Sequence, residues 1–132
     1  MKKFLSVIVV IALLFMVSCS KNYKTYEVTY SARCTQNDSV GGEWDCGIKY
    51  NGEVVESGSY ITVSNRRCRI TAFATEFDSS RNDYGTKNIS FGLLDVGEVK
   101  AKTFTVTVRE NGGRYSGNTA KWDFVVTVRR IS

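Results

Sequence analysis

From residue 25 onward the chain alternates between apolar and polar positions. In "TYEVTYSARC", Tyr26, Val28, Tyr30, Ala32 and Cys34 alternate with Glu27, Thr29, Ser31 and Arg33. A period of two, carried by aromatic and β-branched residues, predicts a half-buried strand. The same period runs through "KAKTFTVTVRE", with Phe104, Val106 and Val108 on one face, and through "AKWDFVVTVRRI", with Trp122, Phe124, Val126 and Val128. Between them, "WDCGIKY" sets Trp44, Cys46, Ile48 and Tyr50 on one side. Asn51-Gly52 follows with the tolerance of positive φ that a type I′ hairpin turn requires, and a strand resumes at Val54 and Val55. "YITVS" extends that strand or opens another. "CRITAFATEF" sends Cys68, Ile70 and Ala72 one way and Phe73 and Phe77 the other, the mark of a strand that lies centrally in a sheet or closes an end of the core. "TQNDSVGGE" and "NGGRYSGNT" read as loops, "DSSRNDYGTKN" as the longest polar loop, and "ISFGLL" as a strand after it.

These segments predict seven or eight strands separated by turn signals, the spacing of an all-β sandwich. No stretch of helical period occurs outside the first twenty residues. The strand spacing, the length, and a Trp in the strand that follows a Cys-bearing strand resemble immunoglobulin-like and fibronectin-III-like modules. That resemblance implies an antiparallel immunoglobulin-like β-sandwich over residues 25–132. A small open β-barrel is the alternative.

The first nineteen residues follow other rules. Lys2 and Lys3 precede an apolar run from Phe4 to Val17, which ends at Ser18-Cys19. A charged start, a short apolar run and a small-residue boundary are the layout of a secretory signal peptide. The run is shorter than the roughly 20 apolar residues that a membrane-spanning helix needs. Met16-Val17-Ser18-Cys19 resembles the lipobox of bacterial lipoproteins. The resemblance implies cleavage before Cys19, a diacylglycerol on its sulfur and an acyl chain on its new amino group. Residues 1–18 are then the signal peptide, 19–24 a lipidated tether, and the membrane a partner through the N-terminal lipid. It also implies a place in the cell envelope, facing the periplasm or the cell exterior. By the rule known for enteric-type envelopes, Ser20 in place of Asp permits transport outward.

Removing the signal peptide changes the charge. The 132-residue chain carries 18 basic and 13 acidic residues, and loss of Lys2 and Lys3 lowers the net charge from +5 to +3. Such a balance in an exported domain is no nucleic-acid footprint, so no nucleic-acid partner is expected. The chain holds no histidine, which excludes Ser-His-Asp and Cys-His catalysis and any His-bearing zinc site. A non-enzymatic protein without a cofactor is expected.

With Cys19 assigned to lipid, three cysteines remain and at most one internal bridge is possible. Cys34 and Cys46 fall at facing ends of two strands joined by one loop. Antiparallel pairing of those strands would bring them within bridging distance, which makes Cys34–Cys46 the expected disulfide and leaves Cys68 buried and free.

Two loops carry candidate chemistry. Glu76, Asp78 and Asp83 gather carboxylates that would offer oxygen ligands to Ca²⁺, although their spacing matches no calcium loop and Arg81 sits among them. The competing reading is a polar loop whose side chains cap its own turns. Arg114 and Tyr115, of types enriched at binding hot spots, mark the glycine-rich hairpin as a surface for a protein or glycan. A third group, Arg66, Arg67 and Arg69, would meet anionic polymers or lipid headgroups, or simply protect a strand edge. The expected function is a lipid-anchored binding or adhesion module. The alternatives are a small envelope inhibitor of a hydrolase, since "GGRYSG" is loosely similar to Gly-Tyr segments of lysozyme-inhibitor lipoproteins, or a purely structural lipoprotein.

Overall fold

The structure, a computed structural model, describes residues 22–64 and 67–132. The signal segment 1–18, Cys19, the first tether residues and Arg66 lie outside the described residues. Eight strands follow in order: β1 (Lys24–Asn37), β2 (Trp44–Tyr50), β3 (Glu53–Val55), β4 (Ser59–Val63), β5 (Cys68–Glu76), β6 (Asp83–Phe91), β7 (Val99–Arg109) and β8 (Thr119–Arg130). They form two four-stranded antiparallel sheets, ordered β4-β1-β8-β7 and β3-β2-β5-β6, and the fold is an all-β sandwich.

Alternation places the inner faces. Tyr26 and Val28 from β1 and Phe124, Val126 and Val128 from β8 are fully buried, facing Ile48 from β2 and Ile70, Ala72 and Ala74 from β5. Phe91, Val106 and Val108 fill the β6–β7 side, and Phe104 stacks parallel to Phe124 with centroids 5.7 Å apart. β5 is central in its sheet, and its outward Phe73 is also buried, with Lys49 Nζ 4.8 Å over its ring. Asn51 and Gly52 take φ of 51° and 83°, so the β2–β3 hairpin has the two left-handed residues its turn demands.

β1 pairs with β4 and β2 with β5, while the β1–β2 and β4–β5 connections each cross between sheets. Immunoglobulin-like sandwiches interlock their B–E and C–F pairs in the same way. Here β7 and β8 return to the first sheet, and β8 lies beside β1 where an A strand would be. The chain also changes sheets between β3 and β4. Ser57 Oγ accepts from the Tyr30 amide at 2.8 Å and donates to its carbonyl at 3.1 Å, and Gly58, at φ 90°, donates to Val28.

Two expectations change. The Cys34–Cys46 disulfide required β1 and β2 to pair, but they lie in different sheets. Cys34 stands opposite Trp122 and Cys46 opposite Ala74, and Cys34, Cys46 and Cys68 are free thiols. Residues 83–88, expected in a long loop, are the first two-thirds of β6, because Asp83 and Gly85 occupy buried inward positions that carry no apolar signal.

Burial pushes the sealed Cys68 thiol up to about 11 and, with the nearby Asp45 carboxylate, also raises the half-buried Cys46, while Cys34 is half-buried at the end of β1. Iodoacetamide at about pH 8 should therefore label Cys34 and Cys46 in the native protein and spare Cys68, since the thiolate is the nucleophile. Peptide mapping checks this. Labelling of Cys68 at the rate of the other two would contradict its sealed position.

Candidate functional site

Three connections meet at one end of the sandwich: residues 38–43 between β1 and β2, 77–82 between β5 and β6, and 110–118 between β7 and β8. The chain enters β1 at the opposite end. Fourteen strand residues at about 3.3 Å each separate the two ends by roughly 45 Å.

Each loop is tied down. Asn37 holds the first by accepting from the Val40 amide at 2.9 Å and donating to the Gly41 carbonyl at 2.7 Å, which also accepts from Trp44 Nε1 at 3.3 Å. The Asp38 amide donates to the Thr119 carbonyl, and the Phe77 amide to the Glu43 carbonyl, so neighbouring loops are stitched by backbone. Asp83, 2% exposed, accepts from the Asn111 amide at 3.0 Å and from its side chain at 3.1 Å, fixing the base of the β7–β8 hairpin. Above it, Gly113–Tyr115 form a single 3₁₀ turn, with Gly113 at φ 70°.

Between the loops lies an open cleft of about 510 Å³, lined by Val40, Gly41, Glu76, Asp78, Glu110, Arg114 and Tyr115 among others. Two candidate groups that are about forty residues apart in sequence, Glu76 with Asp78 and Arg114 with Tyr115, thus share one cavity. Arg114 and Tyr115 are both exposed, with the guanidinium carbon 5.9 Å from the ring centroid. Glu76 differs. It is 5% exposed, its carboxyl has no hydrogen-bond or ion-pair partner among the described residues, and it lies against Gly41, where a Cβ would collide with Oε1.

Burial pushes the Glu76 carboxyl up, helped by the negative charges of Asp78, Glu110, Asp83 and Glu43. Partial burial and the adjacent Asp83 carboxylate do the same to Glu110, against a hydrogen bond from the Gly112 amide. A glutamate with a raised folded pKa holds its proton more tightly folded than unfolded. Its contribution is most favourable below the ordinary 4.5 and is lost as pH rises through the raised value. Glu76→Gln should consequently raise the melting temperature at about pH 7.5 and leave it nearly unchanged at about pH 4, read by thermal unfolding at both. A lower melting temperature at neutral pH would contradict the unpaired carboxylate.

The calcium reading of Glu76, Asp78 and Asp83 is not supported. Among the described residues no three Asp, Glu, Cys or His side chains are placed to hold a metal ion. Asp83 is turned to Asn111, and Asp78 accepts from Ser79 Oγ at 3.2 Å while its amide donates to Asn82 at 3.3 Å. Trp122, in phase with the inward Phe124 and Val126, is half-buried, with its ring centroid 5.3 Å from that of Trp44 and its Nε1 without a partner. Sequence reasoning missed Gly41 and Glu110. The Gly41-Gly42 pair was the available signal, since a glycine doublet opens space for close approach. Compared with protein-family models, with curated proteins and with solved structures, the chain matches none of them.

Proposed function

We propose that this protein is a lipid-anchored lipoprotein of the cell envelope, facing the periplasm or the cell exterior, and that it is a non-catalytic binding module for a protein partner. The observation that carries the reading is polarity of the fold: the one cleft that joins Arg114, Tyr115 and Glu76 lies at the end of the sandwich farthest from the tether. A domain held by its N-terminus would present that tip outward.

The near end suits a membrane. Cys19 lies five residues before Lys24, so a lipidated Cys19 holds the base within about 17 Å of the bilayer at full extension. Tyr23, Leu93, Val96 and Ile131 are exposed at that base, together with Arg67 and Arg69, a mixture that suits an anionic lipid surface.

The test is capture of envelope partners by the membrane-held protein, compared with the Arg114→Ala/Tyr115→Ala double variant. Interface anchors of these types typically contribute about 2 kcal/mol or more each, so the variant should lose at least about tenfold in retention. Equal retention by both would reject the tip as the binding surface. Inhibition of lysozyme by the wild type, lost in the variant, would select the inhibitor reading instead.

A further inference from the structure

We infer that the distal cleft receives a lysine side chain presented by a protein partner. The inference rests on the reading of the tip as the binding surface and adds the chemistry of the group bound there. Its foundation is Glu76, more than nine-tenths buried, facing the cleft, and without a hydrogen-bond or ion-pair partner among the described residues. The Glu76 side chain is almost wholly buried while its carboxylate opens only to the cleft, and holding a charge there is a cost that folding alone does not require, because a neutral glutamine would spare it. Natural chains keep such groups where function needs them.

The surroundings select the ligand. Asp78 and Glu110 line the same cavity, with Asp83 and Glu43 close enough to act on Glu76 electrostatically, and Arg114 is the single cation in the lining. The cavity is therefore net negative and favours a positively charged group. The carboxylates do not converge as a metal site would, so a compact divalent ion lacks its shell. An alkylammonium needs less: one buried carboxylate for its charge, further acceptors around it, and apolar surface for its stem. Val40 and the Tyr115 ring offer that surface. The face of the Tyr115 ring also attracts a cation, as Arg114 shows at the rim. Gly41, Gly112 and Gly113 form the walls, and a Cβ at Gly112 or Gly113 would meet nothing within 4 Å, so a partner's main chain has room to approach. Arg114 then stands at the opening, free to donate to a backbone carbonyl of the segment that carries the lysine.

The test uses the full chain in detergent micelles and the peptide acetyl-Gly-Lys-Gly-amide, with the norleucine peptide as its uncharged counterpart. Amide chemical shifts at Gly41, Glu76 and Tyr115 should move with the lysine peptide and not with the norleucine one. Glu76→Gln should weaken binding at least about tenfold, as expected when one partner of a desolvated charge pair is neutralised. Its melting temperature at neutral pH should rise, which shows that the variant is folded. Equal response to both peptides, unchanged affinity in Glu76→Gln, or tighter binding of Ca²⁺ than of the lysine peptide would each overturn the inference. If the lysine peptide fails while partner capture still depends on Arg114 and Tyr115, the amine chemistry falls and the binding tip stands. If both fail, the tip itself is wrong.

Discussion

Replacing Gly85 by alanine should lower the melting temperature by roughly 10 °C, and replacing it by valine should lower it further. Gly85 sits inward on β6, where a Cβ would stand on the Thr107 carbonyl oxygen, 2.9 Å from its carbon and 3.1 Å from Val106 Cγ1. Backbone cannot move aside as a flexible side chain does. The β6 and β7 strands would have to part, and with them the side of the core that Phe91, Val106 and Val108 seal. Overpacking of this kind costs about 1–3 kcal/mol per site. Total stability of such a domain is about 5–15 kcal/mol, and each 1 kcal/mol lowers the midpoint by about 4–8 °C at this size. Gly92→Ala, where a Cβ meets nothing within 4 Å, is the matched control and should fall within about 0.5 kcal/mol of wild type. Chemical or thermal unfolding of the three variants checks the argument. A Gly85→Ala variant as stable as Gly92→Ala would contradict the close approach of the sheets.

Cys19→Ser, expressed behind a signal peptide that an ordinary signal peptidase removes so that residues 1–18 are not retained, should release the protein from membranes altogether. A single acyl chain binds a bilayer with a constant of about 10⁴ M⁻¹, and two or three chains are needed for a stable anchor. A serine accepts no thioether, so the variant should move from the membrane fraction to the soluble fraction. The four exposed apolar residues at the base, Tyr23, Leu93, Val96 and Ile131, do not replace two or three acyl chains. Fractionation of cells that express each form reads the result. A Cys19→Ser protein that stays with the membrane through a high-salt wash would refute lipid anchoring as the means of attachment.

The strand faces were legible in the chain because alternation is a local signal. Tyr26, Val28, Ile48, Phe124, Val126 and Val128 announce their inward positions by type and spacing alone, and all six are fully buried. The start of β6 was hidden for a physical reason. Its inward positions are held by Asp83, which is buried against Asn111, and by Gly85, which must be bare, so neither looks apolar. The division of strands between sheets is a long-range property. Nothing in residues 34–46 distinguishes a hairpin within one sheet from a crossover between two, and the Cys34–Cys46 expectation failed on that point. The site was half legible. Residue type marked Arg114 and Tyr115 on one loop and Glu76 and Asp78 on another, but only the topology brings the two loops to one end. Glu110 was passed over because a lone glutamate beside a turn carries no signal until Asp83 is found next to it.

The outward direction of the cleft follows from where this domain is held. Mass spectrometry of the N-terminal peptide from protein extracted with membranes tests that most directly. The mature chain should begin at Cys19, with a diacylglyceryl thioether on its sulfur and an acyl group on its amine. A chain that begins at Met1, or at any other residue with Cys19 unmodified, would contradict it.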